Sequence, residues 1–242
     1  MFRRMNSSNP MLKEETFRAE SRAYDGAEAM TINGTINKSL VLWLILAVGA
    51  WYSWNAPMPG GLMVFSLIAF VVFMVMIFKK NLSPVLAPVY ALLQGLFLGT
   101  VSLAFERMYD GIVFNAVMLT MCMLFFMLGM YRMGIIRPTQ KLRTIVTTGI
   151  LSILALYLIS FVMSMFGRSV PFLHSSGPIG IGISLFILAI FGLSLIFDFE
   201  MIRSGEQYGA PKYMEWYGAV ALMLTLIIIY MEMLRLLARL RR

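Results

Sequence analysis

Seven apolar runs, each close to the thickness of a bilayer, occupy most of the chain after residue 36 and leave room for few architectures. They fall at about residues 37–54, 61–78, 85–105, 112–131, 144–166, 179–202 and 214–237. An α-helix needs about 20 residues to cross the hydrocarbon core. Membrane strands are about half as long and alternate in polarity, which these runs do not. The pattern predicts an all-α polytopic membrane protein of seven transmembrane helices, residues 37–242, behind a polar N-terminal tail, residues 1–36. Short connections place the helices in one bundle. Composition points the same way: 60% of the 242 residues are hydrophobic and 13% charged, more apolar surface than a soluble domain of this size can hide. The bilayer is the expected solvent.

The tail sets Arg3, Arg4, Lys13, Arg18 and Arg22 against Glu14, Glu15, Glu20, Asp25 and Glu28. It has no signal-peptide core, so it is expected to stay attached, with a short surface helix around Glu14 to Arg22. The net charge of +8 comes from small clusters between apolar runs. Such clusters suit loops at an anionic membrane face, and nucleic acid is excluded as a partner. Lys79 and Lys80, then Arg132, Arg137, Lys141 and Arg143, then Arg203 and Lys212, alternate with base-poor loops holding none, Arg107 and Arg168. The alternation places the N-terminus in the cytoplasm of a cell with the protein in its plasma membrane. Arg239, Arg241 and Arg242 break it. Either the seventh run stops short, or the early loops set the topology; full crossing is the favoured alternative.

Enzyme chemistry finds little footing. A retinal-type lysine is missing from the apolar body of every run, Lys38 standing at the polar start of the first, and the single histidine, His174, cannot make a two-histidine metal site. Ser184 and Ser194 lie in the sixth run with no partner histidine there. An aspartyl protease needs two intramembrane aspartates, and only Asp198 qualifies. The protein is read as no enzyme and as needing no cofactor. Cys122, alone, forms no internal disulfide, and the 22 methionines read as packing.

The acids carry more. Asp198 follows directly on an apolar run with no loop signal, and a carboxylate at that depth costs roughly 3 kcal/mol to insert. Asp198 and Glu200 lie about 200° apart around a helix, so one at most faces inward. Glu200 can pair with Arg203 at the rim, which leaves Asp198 as the inward candidate for a proton or ion site. Thr225 on the seventh run is expected at similar depth. Glu215 is expected nearer the cytoplasmic surface as a rim charge, and Glu232 nearer the far side. Glu232 is either a snorkelling acid paired with Arg235 or Arg239, or a second acid on an ion path. Gly95 and Gly99 form a small-xxx-small pattern suited to close helix approach within the bundle, a role also expected of Gly180, Gly182 and Gly192.

Three stretches share a further likeness: Tyr90 to Gly99, Phe197-Asp198-Phe199-Glu200-Met201-Ile202, and Ala221 through Leu237. With them in this order the chain resembles the Bax inhibitor motif family of seven-span proteins, in its bacterial branch. The resemblance implies six helices around a central seventh. It also implies a proton-sensitive calcium leak gated by a pair of aspartates on the sixth and seventh helices. Asp198 matches the first; the second falls on Thr225, so one carboxylate stands where the family has two. No arginine lies in the second run to latch the pair, and Lys79 and Lys80 are the nearest cations there. Gln94 stands where many relatives have an acid.

Two functions are expected to compete. One is a pH-modulated leak for calcium or another cation, with Asp198 as the proton-sensitive site and calcium transit near it. The other is a non-transporting regulator of membrane proteins, such as a membrane AAA protease, with the polar tail as its handle. An intramembrane hydrolase ranks well below both.

Overall fold

The structure, a computed structural model, describes residues 29–57, 60–166 and 177–241. The expected surface helix near Glu14, the loop residues His174 and Arg168, and Arg242 lie outside the described residues. Among the described residues seven α-helices follow in order, with one short 3-10 turn, Lys80–Leu82, between the second and third. They are α1 (Ile32–Asn55), α2 (Gly61–Phe78), α3 (Ser83–Met108), α4 (Ile112–Arg132), α5 (Gln140–Met165), α6 (Pro178–Gln207) and α7 (Met214–Leu240). All seven are long and apolar enough to cross a membrane.

The helices begin and end where local chemistry directs. Thr31 caps α1 in an extended conformation, its hydroxyl accepting from the Gly34 N–H at 2.9 Å. α1 thereby starts well before the apolar run does. Pro84 sits in the first turn of α3, where its missing N–H is no loss, and Pro88 is carried inside the helix. α6 outruns its apolar stretch to Gln207 and closes on Gly209 at φ 64°. The Gly209 N–H then reaches the Glu206 carbonyl and the Ala210 N–H reaches that of Gly205, a Schellman closure.

The chain divides into two compact units. The first contains α1, α2, α3 and residues Asp198–Leu224. Here α1 and α3 approach so closely that a Cβ added at Gly95 would overlap the Leu46 carbonyl, and one at Gly99 the Ala50 carbonyl. Ser53 spans the same seam, donating to the Leu96 carbonyl at 2.7 Å. Phe73 of α2 packs on Tyr90 of α3 with ring centroids 6.0 Å apart.

The second unit contains α4, α5, residues up to Phe197 and residues from Thr225. Its core joins Val146 and Ile153 of α5 to Ile187, Ile190 and Phe197 of α6. Gly192 of α6 makes room for the Met123 side chain of α4, whereas Gly182 faces open space and mediates no close approach.

Burial separates the helices into two kinds. α1 to α6 expose large apolar side chains, among them Leu44, Phe70, Val85, Phe125, Leu151 and Leu185. In water such faces would aggregate; in lipid they are the solvent boundary. No residue of α7 from Met214 to Arg239 is exposed. Tyr217, Val220, Ala221 and Met223 are enclosed in the first unit, and Leu226, Ile229 and Leu234 in the second.

Candidate functional site

Asp198 lies on α6 with 1% of its surface exposed, between the equally enclosed Phe197 and the sequence Phe199-Glu200. On the same helix Glu200 is half-buried and Arg203 exposed. α6 continues for nine residues beyond Asp198, about 14 Å at 1.5 Å per residue, so the carboxylate sits well inside the helix. Thr225 is buried on α7 and falls in the second unit.

Glu232 is the most elaborately held acid. Its side chain is 2% exposed and is paired with Arg235, one of the two partners the sequence offered. One carboxylate oxygen accepts from the Ser184 hydroxyl of α6 at 2.6 Å. The other accepts from the Tyr157 hydroxyl of α5 at 3.2 Å and from Arg235 at 3.0 Å. Arg235 also donates to the Tyr157 oxygen at 2.7 Å and lies over that ring at 5.5 Å. Arg239 stands 3.9 Å from the carboxylate and donates to Ser184 and to the Gly180 carbonyl. Three helices are thus joined by one carboxylate and two guanidinium groups.

Glu215 lies in the first turn of α7 at 2% exposure. It accepts from the Thr31 N–H at 2.9 Å and the Thr31 hydroxyl at 3.1 Å, and it forms an ion pair with Lys38. Lys38 also lies over the Trp216 ring, 5.6 Å from its centroid. A carboxylate fits there because Gly34 lacks a Cβ; any side chain at 34 would overlap it. Lys79 is exposed at the end of α2. Gln94 donates to the Tyr90 hydroxyl at 3.0 Å, a local bond along α3.

Of the residues singled out in the sequence, the structure therefore gathers Glu232 with Arg235 and Arg239, and Gly95 and Gly99 with α1. Lys38, Thr31, Tyr157 and Ser184 as partners had no signal in the sequence. Arg143 is the other omission: read as a loop base, it is 8% exposed on α5 with its guanidinium 5.7 Å from the Phe197 ring centroid. The only hint was its place at the edge of an apolar run. Among the described residues no group of three or more His, Cys, Asp or Glu side chains is placed to hold a metal ion.

A family model described as Bax inhibitor 1 like matches residues 9–242 of the chain. No curated protein and no solved structure matches it.

Proposed function

The chain belongs to the Bax inhibitor 1 like family, and from that membership we propose that it is a pH-modulated cation leak, with calcium the foremost candidate ion and Asp198 the proton-sensitive site. The observation that carries this reading is a carboxylate 1% exposed within a membrane-length helix. Burial in such a setting costs several kcal/mol for the charged form, so gain or loss of one proton changes the local energetics substantially. Where the family has a pair of aspartates, this chain has one carboxylate, Asp198, with Thr225 at the second position. Glu232 is an anchor in this reading, because Arg235 and Arg239 already balance it. The protein acts in the plasma membrane with its N-terminus in the cytoplasm, as the basic loops direct, and performs no catalysis.

The test is calcium entry into dye-loaded liposomes at about pH 6 and pH 8, for the native protein and Asp198→Asn. Entry that depends on pH in the native protein and loses that dependence in the variant supports the reading. If no cation enters at either pH, the leak is wrong and the regulator of membrane proteins, a membrane AAA protease among them, takes its place.

A further inference from the structure

Residues 29–38 cross the connection between α6 and α7 and are bonded to both of its flanks. Ala29 and Pro211 pair as an isolated antiparallel bridge, and the Met30 N–H donates to the Ala210 carbonyl at 2.6 Å. Met30 itself is 1% exposed, its side chain tucked beside Gly218 of α7. The Ile32 N–H then donates to the Glu206 carboxylate of α6 at 3.0 Å, while Thr31 and Lys38 converge on Glu215 of α7. Lys38 reaches the Lys212 carbonyl as well, at 3.5 Å. The N–H groups that any helix leaves unpaired at its start, and the positive end of its dipole, are here met by two carboxylates from the far end of the chain.

We propose that residues 29–38 are a strap that sets the position of the α6–α7 connection and, through the last turns of α6, of Asp198, so that loosening the strap regulates the site. Four features support it beyond simple capping. The bonds fall on both sides of one connection, on Glu206 before it and Glu215 after it. Gly34 leaves the space that lets the Glu215 carboxylate come against α1. The hydroxyl of Ser83 grips the same connection from α3, at the Tyr213 carbonyl, 2.8 Å away, so the strap closes one side of a clamp whose other side is fixed. From Asp198 to Gln207 the helix is continuous, and a continuous helix transmits displacement along its axis as a rod. The strap leads directly into residues 1–28, so a partner that draws on that tail would meet the bond between Met30 and Ala210 first. The regulatory part of the proposal rests on the leak reading; the mechanical part rests on these contacts alone.

The bridge supplies the test. Residues paired across an antiparallel bridge have Cα atoms about 4.5–5.5 Å apart, within reach of a disulfide. Ala29→Cys with Pro211→Cys, in a Cys122→Ser background, would lock the strap when oxidised and free it when reduced. Glu215→Gln and Lys38→Met loosen it without cysteine chemistry. Two readouts are taken on the full chain in liposomes: hydrogen exchange of the α6 segment 198–207, and calcium entry. Exchange at least five-fold slower in the oxidised than in the reduced protein, and faster in Glu215→Gln and Lys38→Met, supports the strap. Lower calcium entry on oxidation, restored by dithiothreitol, supports its regulatory role. Exchange that is the same in all these forms overturns the proposal. If exchange responds but no form passes cations, the leak reading falls and the strap stands as a mechanical element. If cations pass equally in the oxidised and reduced forms, the regulatory role is overturned.

Discussion

Replacing Glu232 with Gln keeps the shape of the side chain and removes only its charge, which makes it the sharpest probe of the three-helix junction. The native carboxylate accepts from Ser184, Tyr157 and Arg235, with Arg239 close by. Interhelical hydrogen bonds in membranes average about 0.6 kcal/mol, so the two from Ser184 and Tyr157 would contribute roughly 1 kcal/mol. Leaving cations without their buried counter-charge costs about 3–5 kcal/mol where burial is complete. Arg239 is largely enclosed, with 12% of its side chain exposed, but Arg235 at 39% can turn toward the interface and lower the cost. The expected loss for Glu232→Gln is therefore about 3 kcal/mol. Unfolding by steric trapping in bicelles measures it directly. The double variant Glu232→Gln with Arg239→Gln should recover about 1–2 kcal/mol, because it removes the stranded cation along with the acid. A loss below about 0.5 kcal/mol for the single variant, or no recovery in the double, would refute the claim that charge balance holds the junction.

Other expectations follow from particular contacts. Gly99→Leu should destabilise the protein by more than about 2 kcal/mol, since its side chain would enter the α1 backbone at Ala50. Gly129→Ala, where an added Cβ meets nothing within 4 Å, should be neutral or stabilise α4 by about 0.5–1 kcal/mol; thermal unfolding in one detergent compares the two. Thr31→Ala removes the α1 cap and the hydroxyl bond to Glu215, and a loss of about 1–2 kcal/mol is expected in the same assay. Cys122 is exposed on an apolar helix. In intact proteoliposomes it should react with a lipid-soluble maleimide and resist a charged, impermeant one. Equal labelling by both would place that face of α4 in water.

The sequence alone determined the architecture, because the requirement that creates it is local. A backbone in lipid must satisfy its own hydrogen bonds, so an apolar run of sufficient length has to be a helix whatever surrounds it. The same reasoning located Asp198 as an acid in an apolar setting and Gly95 and Gly99 as small residues at helical spacing. It could not assign partners. Lys38 and Glu215 are 177 positions apart, and Tyr157 and Glu232 are 75 apart. Whether such groups meet depends on how each helix is rotated and how deep it sits, and hydropathy is nearly uniform around these helices. The sequence therefore left the burial of Glu215 unseen, and Arg143 read as a loop base although it is enclosed within α5. The ends of the helices were also hidden, since Thr31 and Gly209 act through backbone conformation outside the apolar runs. Solvent chose the seven helices from composition and length; only tertiary packing decided which polar groups face one another, because that choice is made by shape and charge matched across the whole chain.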